Sequence, residues 1–149
     1  MGLIMDKKKG KENMSICTVT KDYHFESAHS LPHLPAHHKC RRPHGHSYRF
    51  RVELTGELDK FGFVLDYADI DGMVEPIVAQ LDHRDLNEIL ENPTTAENLA
   101  IWIYKKVLAA LNRHGKVHLT SRIVFKETAN TSVVYPVAPE SHYEYKAPE

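Results

Sequence analysis

Bulk charge is nearly missing from this chain: 19 lysines and arginines against 20 acidic residues leave a formal net charge of −1. Without a basic surplus there is no overall electrostatic pull toward nucleic acid or an anionic membrane, and neither partner is expected. Cysteine is scarce, with two in 149 residues. Cys17 and Cys40 are too few for a disulfide-stapled secreted scaffold, so both are expected as reduced thiols in a cytoplasmic protein. No uninterrupted apolar run reaches the roughly 18 residues needed to span a bilayer. The start of the chain lacks the apolar core of a secretory signal. It carries Lys7, Lys8, Lys9 and Lys11 instead, and residues 1–15 read as a solvated, disordered tail. The polar stretch 138–149 reads as a second tail. What lies between, 16–137, has the length of one domain, and a chain of this size buries about 70% of its unfolded surface.

Histidine is what the chain concentrates. Seven of its eleven histidines fall between His24 and His46. His44 and His46 stand two apart at the mouth of an apparent strand, Ser47-Tyr48-Arg49-Phe50-Arg51-Val52-Glu53-Leu54. Residues i and i+2 of a strand point to the same face, so both imidazoles can meet one metal ion. Gly45 between them leaves room for close backbone approach. His29, at the end of the preceding apolar run, is the best third ligand. Three neutral imidazoles with one open position make a catalytic-type zinc site, although imidazole also suits iron, copper and nickel. Alternatively, these are hydrogen-bonded loop and strand histidines. His24, His33, His37 and His38 read as outer-layer or exposed residues.

The rest of the chain supplies a scaffold. Val19, Tyr23, Phe25, Ser27 and His29 share one parity and predict a first strand over 17–29. Pro32, Pro35 and Pro43 mark 30–43 as a long loop, and ordered long loops tend to be functional. The second strand is expected from about His46 to Leu58, with Tyr48, Phe50, Val52 and Leu54 buried and Arg49, Arg51 and Glu53 exposed. Asp66 is a plausible N-cap for a helix with the stripe Ile70, Met73, Val74, Ile77, Val78 and Leu81, which Pro76 should kink or shorten. Thr94-Thr95-Ala96-Glu97 reads as a capping box opening a second helix through Leu99, Ile103, Val107, Ala110 and Leu111. Asn112 to Gly115 ends it. Two strands follow, one carrying Leu119, Ser121, Ile123, Phe125 and Glu127, the other running from Thr131 to Val137. The order β-β-α-α-β-β predicts an α+β fold: a four-stranded antiparallel sheet with two helices packed on one face. Its exposed edges predict oligomerisation.

Three further positions carry chemistry. Cys40 reads as a catalytic thiolate, a fourth metal ligand or an inert buried thiol. Lys39, Arg41 and Arg42 beside it favour the thiolate form. Asp82-His83 reads either as a helix-end pair or as a carboxylate tuning an imidazole for acid-base work. Glu127 takes the apolar parity of its strand, and an inward carboxylate needs a partner. That partner is a core salt bridge or a ligand with two adjacent N–H donors, such as a pterin ring.

Four pieces in this order, Phe25-Glu26-Ser27-Ala28-His29, Cys40-x-x-x-His44-Gly45-His46, Leu81-Asp82-His83-x-x-Leu86-Asn87 and Lys126-Glu127-Thr128, resemble the 6-pyruvoyl-tetrahydropterin synthase/QueD family over about residues 18–136. The three-residue gap between Cys40 and His44 is similar to the QueD branch. The resemblance implies the tunnelling fold and a 6-carboxy-5,6,7,8-tetrahydropterin synthase acting on 7,8-dihydroneopterin triphosphate on the route to queuosine. It implies zinc on His29, His44 and His46, Cys40 as general base, Asp82 and His83 as relay pair, and Glu127 as pterin anchor. It also implies trimers stacked into hexamers, with active sites at subunit interfaces. Lys39, Arg41 and Arg42 lie suitably for the triphosphate. Two rivals remain: a sibling enzyme leaving a pyruvoyl or cleaved side chain, and a non-catalytic zinc-binding module closed by Cys40.

Overall fold

The computed structural model describes residues 15–137, so both expected tails, apart from Ser15, lie outside the described residues. Two 14-residue strands, β1 (Ile16–His29) and β2 (His44–Glu57), pair antiparallel without a break from Ile16↔Glu57 to His29↔His44. Helices α1 (Tyr67–Leu81) and α2 (Ala96–Arg113) follow, then β3 (Thr120–Lys126) and β4 (Val133–Tyr135). The sheet order is β1-β2-β3-β4, all antiparallel, as the alternating patterns predict. No helix among the described residues is long and apolar enough to cross a membrane.

Alternation decides which face is buried. Phe25, Tyr48, Phe50, Val52, Leu54, Ile123 and Phe125 are each 2% exposed or less, and they form one core with Ile70, Val74 and Ile77 of α1 and Leu99, Ile103 and Val107 of α2. The intervening strand residues face away from both helices.

The boundaries differ from expectation in four places, each for a local reason. β2 begins at His44, because the loop hands the chain directly into register opposite His29. α1 runs through Pro76 without ending there. The proline is exposed, so the Gly72 carbonyl it leaves unbonded is on the solvated side of the helix. α2 is capped by Thr95, whose hydroxyl accepts from the Asn98 N–H, so the cap sits one residue later than the Thr94–Glu97 box predicts. β4 is three residues long, and Pro136, with no N–H to give a ladder, follows its last residue. The Asp66 cap stands, accepting from Ala68 N–H at 2.8 Å, and Gly115 with φ +68° closes α2 as expected.

Candidate functional site

The histidines meet where β1 ends and β2 begins. His29 and His44 are register partners, and His46 lies one alternation further along the buried face. Their ring centroids are 4.6, 4.9 and 5.1 Å apart, and one nitrogen from each ring lies within 4.8 Å of the others. Two rings are oriented by backbone. His29 Nδ1 is 2.9 Å from the Thr94 carbonyl and 3.2 Å from its hydroxyl, while His44 Nδ1 is 2.7 Å from the Arg42 carbonyl. A carbonyl only accepts, so each Nδ1 carries the proton and each Nε2 keeps its lone pair. Those two Nε2 atoms face each other at 3.0 Å. Neutral rings in these tautomers have no proton to place between them, and a cation relieves the opposition. His46 Nε2 is buried without a hydrogen-bond partner, with Glu127 Oε1 at 3.4 Å. Burial pushes the His29 imidazole below its ordinary value and keeps it in the neutral, ligating form. The donor set therefore fits a divalent metal held by three imidazoles.

Cys40 lies in a 3-10 turn (Lys39–Arg41) of the 30–43 loop, half-buried and with a free thiol. The donors that converge among the described residues are the three histidines, without Cys40. The loop is braced around it: Leu31 N–H donates to the Cys40 carbonyl at 2.8 Å, and Cys40 N–H donates to His38 Nδ1 at 3.1 Å. Arg41 Nη1 donates to the carbonyls of Pro32 and Leu34 and so staples the loop. Lys39 and Arg42 are exposed.

Asp82 and His83 sit together at the end of α1. Asp82 is the C-cap of α1; its Oδ1 accepts from Glu26 N–H at 2.9 Å and its Oδ2 is 2.8 Å from His83 Nδ1. The Glu26 N–H first, and the His83 ring second, hold the Asp82 carboxyl below its usual range. His83 N–H donates to the Glu26 carbonyl and Ala28 N–H to the Arg84 carbonyl, so 82–84 dock on the outer edge of β1. His83 has φ 55°, an uncommon conformation for a residue with a side chain, and its ring is 78% exposed. One open depression is lined by His83, Gly45, His46 and Ser47. Glu127 follows β3 directly and points inward, as its parity predicts, but toward His46.

Sequence reasoning missed Thr94. It is fully buried and orients His29 while reaching the Ser30 carbonyl at 3.3 Å. The signal was the doubled threonine before α2, since only one of the two can cap. Asn87 also contributes to the site. It makes two 2.8 Å hydrogen bonds to the Ser30 backbone and holds the exit of β1 beside the histidines.

Comparison with known proteins gives a consistent likeness. The family model described as 6-pyruvoyl tetrahydropterin synthase matches residues 18–137. A Synechocystis protein named 6-carboxy-5,6,7,8-tetrahydropterin synthase is 40% identical over 97 residues, covering 60% of this chain and 73% of its own. A Pyrococcus furiosus protein named dihydroneopterin monophosphate aldolase is 44% identical over 64 residues, 43% of this chain and 54% of its own. The solved 6-pyruvoyl tetrahydropterin synthase of Caenorhabditis elegans superposes with a TM-score of 0.74 at 27% identity, covering 84% of this chain and 98% of that one.

Proposed function

The chain belongs to the 6-pyruvoyl tetrahydropterin synthase family, and from that premise we propose that it is a zinc-dependent 6-carboxy-5,6,7,8-tetrahydropterin synthase. It would convert 7,8-dihydroneopterin triphosphate and water to 6-carboxytetrahydropterin, acetaldehyde and triphosphate, in the cytoplasm, for queuosine (7-deazapurine) synthesis. The observation that carries the reading is the pair of carbonyl-oriented imidazoles, His29 and His44, whose Nε2 lone pairs converge beside the unpartnered His46 Nε2. The Synechocystis relative's name supplies the product.

His29, His44 and His46 would hold the zinc. Zinc bound there supplies Lewis-acid polarisation of the substrate's side-chain oxygens, which acidifies the adjacent C–H. Cys40, on its braced turn, takes that proton as thiolate. His83 returns a proton through Nε2, because Asp82 fixes its Nδ1. Glu127 accepts from the two adjacent N–H groups of the pterin ring, turning from His46 to do so.

Assembly into trimers stacked as hexamers fits the open edges. Glu26 and Ala28 use the outer edge of β1 on residues 82–84. Strand alternation therefore turns the backbone of Thr18, Thr20, Asp22 and His24 outward too, where another chain can pair.

A second reading has the Pyrococcus relative in its favour: cleavage of the pterin side chain without carboxylate formation. Incubating zinc-loaded protein with dihydroneopterin triphosphate and identifying the pterin by mass separates them. Carboxytetrahydropterin with acetaldehyde supports the proposal. A pyruvoyl or cleaved pterin moves the protein to a sibling activity, and no turnover at full zinc occupancy favours a binding module.

A further inference from the structure

The face of the sheet turned away from the helices can be followed row by row through the strand register. Thr18, Thr55 and Thr120 form one row, with the first two hydroxyls 2.7 Å apart. In the next, Arg122 is paired with Glu53. In the third, Arg51 grips Asp22 with two hydrogen bonds of 2.7 and 3.2 Å. The fourth row is His24, Arg49 and Lys126, directly opposite one another on β1, β2 and β3. None of these three forms an ion pair among the described residues. In the fifth row Ser47 donates to Glu26 at 2.7 Å.

Like charges directly opposite in a ladder repel. Here they stand on a sheet whose neighbouring rows are closed by their own partners. The nearby carboxylates are already used: Asp22 by Arg51, Glu26 by Ser47, and Asp82 by Glu26 N–H and His83. The row borders a surface depression of about 570 Å³ with Tyr23 and Val124 in its lining. An anion is the missing partner, and its length is constrained. β1 and β3 are two strand spacings apart, roughly 9–10 Å. A chain of linked phosphates can follow the whole row, whereas a single phosphate covers less of it. Arg49 offers a planar fork to phosphate oxygens and Lys126 a point charge.

We propose that the His24–Arg49–Lys126 row is a binding site for a linear oligophosphate, either free triphosphate or the phosphate tail of a larger ligand. The site is on the opposite face of the sheet from the inward-pointing histidines. Binding of the free anion is independent of the reaction proposed above; only the assignment to a substrate tail rests on it.

The test is calorimetric titration of inorganic tripolyphosphate into the zinc-loaded protein at fixed ionic strength, repeated with orthophosphate. Saturable binding, tighter than orthophosphate by about tenfold or more, is expected from contacts along the whole row against contacts along part of it. The Arg49→Gln/Lys126→Gln variant should weaken tripolyphosphate by at least about tenfold. Arg49→Lys, which keeps the charge and loses the fork, should fall between. Both altered residues are on the open face, so a thermal melt should show the variants folded. Binding unchanged in the double variant overturns the proposal, as does equal affinity for orthophosphate. Loss of binding in His44→Ala with none in the double variant also overturns it, by placing the anion on the metal centre. With the pterin triphosphate as substrate, a raised KM at constant kcat in the double variant assigns the row to the substrate tail. An unchanged KM with tripolyphosphate binding lost assigns it to the free anion.

Discussion

Two polar clusters lie on the helix-facing side of β1, one at its middle and one at its end, and they are built in opposite ways. At the middle of the strand, Lys21 pairs with Asp71 of α1, and the Tyr23 hydroxyl donates to the other Asp71 oxygen at 2.8 Å. Every charge has a partner, and the cluster ties helix to strand. At the end of the strand, two Nε2 atoms oppose each other, and the His46 Nε2 and Tyr48 hydroxyl are buried with no hydrogen-bond partner. An unpaired buried polar group costs roughly 1–3 kcal/mol. The lesson is that a closed cluster stabilises the fold, while an open one is completed by what binds there.

Breaking the open cluster should have the largest effect. His44→Ala removes one of three imidazoles, and zinc affinity should fall by more than the roughly 10–100-fold typical of losing an outer-layer partner. Metal content after dialysis against a weak chelator reads this directly, and turnover should disappear with it. Cys40→Ala is next: kcat should fall by about 10²–10⁴-fold with zinc fully retained. Loss of zinc in that variant would make Cys40 a ligand.

The closed cluster should respond in stability alone. Tyr23→Phe removes its hydrogen bond to Asp71 and should lower unfolding free energy by about 0.5–1.5 kcal/mol, with zinc content unchanged. The pH dependence follows from linkage. Lys21 first and Tyr23 second hold the Asp71 carboxyl below its usual range. A depressed carboxyl contributes stability that is present above its unfolded value, about 3.9, and lost as pH falls through the folded one. Burial first, then the bond to Asp71, push the Tyr23 phenol above its ordinary value. A raised phenol contributes stability present below its unfolded value, about 10, and lost as pH rises past it. Urea unfolding across pH should therefore show losses from this cluster on both limbs. Asp71→Asn should flatten the acid limb and Tyr23→Phe the alkaline one.

Thr94→Val sharpens the comparison with the smallest effect. It deletes the hydroxyl 3.2 Å from His29 and keeps the carbonyl at 2.9 Å. Zinc affinity should drop by less than about tenfold, since the carbonyl alone still fixes the tautomer. A larger loss would show that the hydroxyl shares in orienting the ring.

Strict alternation made much of this legible beforehand. Once Tyr48, Phe50, Val52 and Leu54 are assigned to the buried face, a period of two carries His44 and His46 onto it without further information. Glu127 was placed inward by the same argument. What alternation cannot supply is a partner from another element. Thr94 was read as a cap because caps and outer-layer hydroxyls use the same residue type, and only the approach of 94 to 29 distinguishes them. The two carbonyl acceptors of Arg41 Nη1 are likewise invisible in sequence, where only its charge shows.

The order of elements, the parity of each strand, the helix caps to within a residue and the shared face of His44 and His46 are local properties, determined by period and side-chain chemistry along the chain. The pairing of His29 with His44, the carbonyls that choose the imidazole tautomers, the docking of 82–84 on β1 and the uncompensated row on the open face were decided by tertiary structure. Each depends on which backbone edge or side chain arrives opposite another. That register is set by burying the whole apolar face at once, a condition no single segment contains.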